Sequence, residues 1–588
     1  MEKYTGKTET ERVNALGGGK TGKRLGWFLA FAVLLCVQVL VIVYFGDKKA
    51  GFHEDEYYSY YSTNRTAGLY QPDREWMDRD TFRNEFVVLE GERFNYGMVS
   101  LVQSWDVHPP FFYFLLHTAC SLFPGMFSKW LGIGINIVAF CINFGLLTWL
   151  TYMVTGKNRA LAFLVAAVHG FNAVIISGVM FIRMYEWLTV FVLLCACLHV
   201  RAVLRKDMSL KGFLLPLMFV NYLGFLTQYY YIIFLFFMAA GFCVRRLWTD
   251  RKLWNCIKYG LACGISLVLA VLSYPACFSH IFRGYRGTGA VSEFVNAENT
   301  GERLGFFAGL MNEYLFDGHL WLWLVALVVL VSVAFGMKRS GRTDGTRLMG
   351  EQEALIENDV TGGGKKVGGE PGTRAERALT GEAVAYGLLV FAVCGYFFVV
   401  SKTALLLYET SNRYQLPVYG ILLMLVLVAL CGLWEKIVDL RWDKKSQRGR
   451  RFGTAGLAVV LVLFLAGDIH GIASGKVIFL YEEDAANVAY AKEHADTPVV
   501  ILYNDVTPYH VWWCSQELMQ YEKVYFVSEA NKEKLTDEVI CTSEKVIVYA
   551  ADYETQEESL QMLLDSNTKL EGYKLITQKS LWSVYEFE

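Results

Sequence analysis

LGWFLAFAVLLCVQVLVIVYFGDKKAGFHEDEYYSYYSTN, residues 25–64, sets the frame for the whole chain. Its first half, Leu25 to Phe45, contains no charged residue and is long enough to cross a bilayer as a helix. Lys20, Lys23 and Arg24 precede it, as basic residues precede a secretory signal peptide. The apolar run is longer than a signal peptide needs, however. Its exit, VYFGDKK, also lacks the small-residue cleavage pattern. The segment therefore reads as an uncleaved first span. Directly after it come Glu54, Asp55 and Glu56, wrapped in Tyr57, Tyr58, Tyr60 and Tyr61. That much negative charge so close to lipid needs a reason.

The rest of the chain repeats the apolar half of this pattern. Apolar segments recur near 130–154, 160–181, 184–200, 212–227, 229–244, 257–277, 319–337, 383–401, 415–434 and 453–467. With the first, they make roughly eleven spans. At 54% hydrophobic and 19% charged, the 588-residue chain is too apolar for a soluble protein of its length. No basic stripe with interleaved aromatics points to nucleic acid. Of the 13 cysteines, only Cys514 and Cys541 fall in a polar region. Two cysteines are not a disulfide framework, and unpaired thiols are the simpler reading.

The basic connections GKNR (156–159), RAVLRK (201–206), RRLWTDRK (245–252) and RWDKKSQRGRR (441–451) mark the cytoplasmic side, together with the N-terminal tail, 1–24. This assignment is self-consistent only if HPPFFYFLLHTACSLF (108–123) does not cross. Its apolar part is short, as in an interfacial or re-entrant segment. The outer features are then a first loop at 46–128, the bend FIRMYEW (181–187), the segment 278–318, the bend KTALLLYETSNRY (402–414) and everything from 469 onward. Residues 338–382, with TGGGKKVGGEPGTRAER, read as a cytoplasmic linker. In 469–588 the strand-like runs PVVILYN, KVYFVS, KVIVYAA and LWSVYEF alternate with helical stretches. The expected architecture is a polytopic α-helical membrane domain, 25–468, followed by a small extracytoplasmic α/β domain.

Two motifs fail on inspection. GGGKTGKR (17–24) nearly spells a P-loop, but Arg24 stands where Ser or Thr must reach a metal, and no strand precedes it. HEDEY (53–57) nearly spells a zinc-protease motif, but Tyr57 replaces the second histidine. Adjacent carboxylates also suit hard divalent cations. A divalent metal at this turn is neither required nor excluded by the sequence.

Other residues stand out on the same side. Arg183 interrupts the apolar stretch VMFIRMYEWLTV, and Arg413 precedes LPVYGILLMLV. A charge in or near a span is costly and usually has a partner or a role. A structural Arg–carboxylate pair is the simpler alternative. In DVHPP (106–110) the prolines fix the backbone and restrict His108, holding Asp106 and His108 at the membrane surface. Tyr57, Tyr58, Tyr60, Tyr61 and Tyr229 to Tyr231 map to the outer interface. An aromatic belt is the default there, against sugar stacking or a lipid groove.

Taken together, HEDEYYSYYSTN with its Asp55-Glu56 pair, DVHPPFFYFLLH, IRMYEW, GFLTQYYYIIF and NRYQLP resemble the motifs of polytopic GT-C glycosyltransferases. The narrower likeness is to bacterial relatives of the protein O-mannosyltransferases, glycosyltransferase family 39-like, over about residues 25–470. Gln228 stands where that family often has His, and Phe111-Phe112 where it has Gly-Lys. No MIR-type sugar-binding module is present. These departures leave the sugar and the acceptor open.

The resemblance implies a polyprenyl-phosphate-linked sugar donor with its tail in the bilayer. The acceptor is a hydroxyl of a glycan, lipid or protein at the extracytoplasmic face of the plasma membrane. A carboxylate must take the acceptor's proton, and cations must meet the charge growing on the leaving phosphate. Asp55 is the expected base, with Glu56 orienting or replacing it. Arg183, His108 and Arg413 are the expected phosphate-binding residues, Arg because its planar fork grips two oxygens. Asp106, Tyr185, Tyr229, Tyr230 and Tyr414 are expected to line the substrate cleft, and 278–318 to act as a lid. One displacement by a hydroxyl inverts the anomeric centre. A flippase for lipid-linked sugar and a non-catalytic receptor are the rival readings. A transporter's paired internal repeats are not seen.

Overall fold

The computed structural model describes residues 9–65, 76–357, 380–442, 446–579 and 581–588, with backbone alone for 9–23, 339–357 and Tyr509. Among the described residues ten helices are long and apolar enough to cross a membrane, or eleven crossings if one bent pair is counted as a span. The chain is a multi-pass helical membrane protein. The bent pair is Arg159–Phe171 and Ala173–Met180, at 58°. It replaces the single straight span expected over 160–181. Asn172 explains the break. Its carbonyl oxygen caps the second helix at Val174 N (3.2 Å), and its amide donates to Leu315 O (3.0 Å) and Asp468 Oδ1 (2.8 Å). A side chain serving as a cap cannot also sit in a continuous helix.

Phe111–Leu122 is a 12-residue helix, too short to cross, as its composition indicated. The helix from Leu320 runs on to Glu357, into the stretch read as linker. Residues 358–379 of that stretch lie outside the described residues. The spans are not equivalent. Tyr185–Arg205 and Tyr408–Arg441 are the most buried, whereas Leu320–Lys338 is almost wholly exposed. The two central spans therefore begin at the two arginines singled out in the sequence, Arg183 and Arg413.

The C-terminal region forms an α/β domain around one six-stranded sheet of order β1-β3-β2-β4-β6-β5. β1 is Trp76–Asp78, β2 Val499–Tyr503, β3 Lys523–Ser528, β4 Val546–Ala551, β5 Tyr573–Gln578 and β6 Trp582–Phe587. β2 runs parallel to β3 and β4, and the other pairings are antiparallel. β2, β3 and β4 are near-continuous apolar runs because both faces of the central strands are covered. β1 belongs to the first loop, not to the C-terminal region. It adds itself to the sheet edge, with the Trp76 ring stacked 4.7 Å from that of Tyr525.

Two further ties dock the domain on the bundle. Ala50 N donates to Leu480 O at 2.8 Å, and Lys49 Nζ donates to Phe479 O at 2.6 Å. The exit of the first span, the first loop and the C-terminal domain thus meet at one end of the bundle. All 13 cysteines are free thiols, Cys514 and Cys541 included.

Candidate active site

The acidic stretch becomes a helix, Glu54–Asn64, that begins where the first span's exit loop ends. His53 caps it. Its Nδ1 accepts from Asp55 N (3.0 Å), and Glu56 Oε2 reaches back to accept from His53 N (2.7 Å). This reciprocal cap satisfies two orphan donors, and three acids in the first turn complement the helix dipole. At about 100° per residue, consecutive side chains leave a helix in different directions. The three carboxylates accordingly meet three environments.

Glu56 points inward and is fully buried. It pairs with Lys49 Nζ at 2.9 Å and accepts from Ile182 N at 2.8 Å. Burial pushes Glu56 up, while Lys49 and the backbone donors of Ile182 and His53 pull against that. The carboxylate fastens the acidic helix to the bend before the central span.

Asp55 faces the two arginines. Arg413 Nη1 donates to its Oδ2 at 2.8 Å, and Arg183 Nη2 lies 3.9 Å from its Oδ1. The side chains of Arg183 and Arg413 are 3% and 4% exposed, against 32% for that of Asp55, so the open face of this cluster is the carboxylate. Burial works against the Asp55 charge, but Arg183 and Arg413 outweigh it and hold the carboxyl well below the usual range.

Arg183 projects from the bend between Met180 and Tyr185. Its Nη1 donates to Asp55 O (3.2 Å), Ser59 Oγ (3.1 Å) and Tyr113 Oη (3.0 Å). Arg413 lies over the rings of Phe181 (5.3 Å) and Tyr414 (5.1 Å). The Nε of each arginine is buried without a hydrogen-bond partner among the described residues. A buried guanidinium that leaves a donor unused is unusual.

His108 completes the cluster. Its Nδ1 is 2.9 Å from Asp106 Oδ2, and its Nε2 is 3.4 Å from Arg183 Nη2. Arginine can only donate, so Nε2 is the lone-pair side and Nδ1–H donates to Asp106. Burial opposes the Asp106 charge, but His108 and Arg183 hold it below the usual carboxylate range.

The tyrosines divide. Tyr185, Tyr230 and Tyr414 form one cluster beside Arg413, with ring centroids 5.7 and 6.0 Å from Tyr414. Tyr229 lies apart and bonds His280 Nδ1 at 2.9 Å. Tyr57, Tyr60 and Tyr61 are buried among Phe52, Phe86, Phe127 and Trp512, so they are core rather than an interface belt or an open platform. Tyr58 alone turns toward Arg183, at 6.0 Å.

Several members were not legible in the sequence. Trp513, from the C-terminal domain, donates its Nε1–H to Glu54 Oε2 at 2.9 Å and lies 5.1 Å from the His53 ring. Lys49, Ser59 and Tyr113 are likewise brought in by packing. The one available signal was Trp512-Trp513 itself, an apolar pair inside an otherwise polar region. Among the described residues no group of three or more His, Cys, Asp or Glu is placed to hold a metal.

No protein-family model matches the chain, and no curated protein matches it. Among the solved structures similar in overall shape are two of one protein. One is ArnT from Cupriavidus metallidurans bound to undecaprenyl phosphate, 11% identical, with a TM-score of 0.49 over 95% of this chain and 98% of that one. The other is ArnT from the same organism in the apo state, 10% identical, with a TM-score of 0.47 over 96% and 98% of the two chains. A likeness at this level assigns no role to any residue.

Proposed function

We propose that the protein is an inverting glycosyltransferase that moves a sugar from a polyprenyl-phosphate donor to an acceptor hydroxyl at the extracytoplasmic membrane face. The observation that carries this reading is the cluster of Arg183 and Arg413 on one partly open carboxylate, at the mouth of the two central spans. Each guanidinium keeps a donor that the described residues do not use. Two such forks suit a phosphate monoester or diester, which offers several oxygens where Asp55 offers two. The donor's tail would lie in lipid while its phosphate meets the arginines.

Helix order supports this orientation. Lys129–Val154 starts beside Asp47, where Lys129 Nζ donates to Asp47 O at 2.9 Å, and it ends next to GKNR. Tyr185–Arg205 starts at Arg183 and ends at the basic RAVLRK. The basic connections thus fall at the end opposite the site, which by the positive-inside rule supports an extracytoplasmic site.

In the reaction the acceptor oxygen forms a bond to the anomeric carbon, and the bond from that carbon to the phosphate oxygen breaks. The electron pair leaves with the polyprenyl phosphate, whose growing charge the arginines stabilise. A carboxylate of the Glu54–Glu56 turn takes the acceptor's proton. Asp55 keeps the guanidiniums in place before the donor arrives, and His108, oriented by Asp106, buttresses Arg183. Glu56 is committed to Lys49 and acts as an anchor.

The test is reconstitution of the purified full chain in liposomes with radiolabelled polyprenyl-phosphate hexose and a cell-envelope extract as acceptor source. Labelled product is expected. Movement of the donor across the bilayer without product would make the protein a flippase, and neither outcome would make it a receptor.

A further inference from the structure

We infer that Glu54 is the group that takes the acceptor's proton, while Asp55 beside it serves as the anion that holds the arginines. The inference rests on the transfer reaction proposed above. The resemblance read in the sequence implied Asp55 for this role. The geometry separates the two residues. Both Asp55 oxygens are turned to guanidinium groups, one at 2.8 Å and one at 3.9 Å. A proton arriving there must displace a cation, so Asp55 is a poor acceptor while the arginines face it.

Glu54 occupies the same helical turn and is also partly open to solvent. Its one hydrogen bond among the described residues comes from the uncharged Trp513 indole, at Oε2. No cation stands at ion-pair distance among those residues, and Oε1 has no hydrogen-bond partner there. The indole fixes where the carboxylate points without neutralising it. Trp513 is itself positioned by the His53 ring at 5.1 Å and the Tyr481 ring at 6.0 Å. A single neutral donor orienting one oxygen, with the other taking no hydrogen bond from the described residues, is the arrangement a general base requires.

The charged groups that act on Glu54 are Asp55 on its own helix and Arg413 from the central span. Trp513 faces it from the C-terminal domain. Burial and the Asp55 charge push Glu54 up to about 8, against the opposing pull of Trp513 and Arg413. Two adjacent carboxylates driven in opposite directions mark a division of labour between an ionised anchor and a proton carrier. In the step, the acceptor hydroxyl gives its proton to Glu54 as its oxygen bonds the anomeric carbon. The bonding pair to the phosphate oxygen departs with the polyprenyl phosphate, and Glu54 then returns the proton to water. The C-terminal domain is on this reading part of the active site, because it supplies the residue that aims the base.

The experiment compares wild type, Glu54→Gln and Asp55→Asn, each as the full chain in liposomes with radiolabelled polyprenyl-phosphate hexose and envelope extract. Gln keeps an oxygen for Trp513, so the fold and the donor KM should be unchanged. Turnover is expected to fall by about 10²–10⁴-fold, the usual worth of a general base. Wild-type turnover should rise with pH through about 8, because the base must be ionised. The Glu54→Gln profile should lose that rise. Asp55→Asn should keep it, moved to lower pH because a neighbouring negative charge is gone. That shift decides the matter even if Glu54→Gln folds poorly. Near wild-type turnover in Glu54→Gln, or a pH rise lost in Asp55→Asn instead, would overturn the assignment and leave the reaction standing. A wild-type protein that makes no product overturns both.

Discussion

Two ion-pair centres lie on one turn of one helix, and they differ in almost every physical respect. Lys49–Glu56 is sealed, with both side chains at 0% exposure, and it is fully satisfied by Ile182 N, His53 N and Phe479 O. Arg183–Asp55–Arg413 is open on its carboxylate, and the Nε of each arginine takes no partner among the described residues. A closed, satisfied pair has nothing to offer a substrate and everything to lose when broken. An open pair with unused donors is poorly arranged for stability but ready to exchange partners. Charge near a membrane is not evidence of catalysis until its hydrogen bonds have been counted.

The largest effect is expected at the sealed pair. Lys49→Ala leaves Glu56 buried without its cation and should cost about 3–5 kcal/mol, read as a large drop in the thermal midpoint of the detergent-solubilised protein. Adding Glu56→Gln to Lys49→Met should recover part of that loss, since a neutral amide still accepts from Ile182 N. If Lys49→Ala unfolds like wild type, the pair is not the anchor described here.

The open pair should respond oppositely. Arg413→Ala and Arg183→Ala are each expected to lower kcat/KM by about 10²–10³-fold, some 2.7–4 kcal/mol of electrostatic stabilisation, with little change in thermal midpoint. Unchanged donor affinity in a binding assay with polyprenyl phosphate would remove the phosphate role. Asp106→Asn should cost roughly tenfold in turnover, because His108 loses the partner that sets its tautomer. Trp513→Phe removes one hydrogen bond, worth about 1 kcal/mol. Its sign is informative: the indole N–H favours ionised Glu54, so its loss should move the pH rise upward. A downward shift would contradict the bond.

Much of the membrane architecture was legible because a bilayer imposes a length and a polarity that single sequences must obey. The non-crossing of Phe111–Leu122 followed from its short apolar length and from the parity of the basic loops. The break at Asn172 was not legible, since an asparagine within an apolar run looks the same whether it faces a neighbour or caps a helix. β1 and β5 were also missed. β1 is three residues long and belongs to a loop about 450 residues from its partner β3. β5 is a half-exposed edge strand with little apolar alternation.

At the site, the sequence by itself determined which residue types were available and at which end of the bundle they gather. Asp55, Arg183, Arg413, Asp106 and His108 all precede or follow spans whose direction the loop charges indicate. Tertiary structure alone decided how three consecutive acids divide. Glu56 met Lys49, Asp55 met two guanidiniums and Glu54 met an indole from the other end of the chain. A helical turn fans its side chains apart, and the partner each one meets is set by elements up to 459 residues away in sequence. No local pattern contains that information, because it exists only once the C-terminal domain has docked on the first loop.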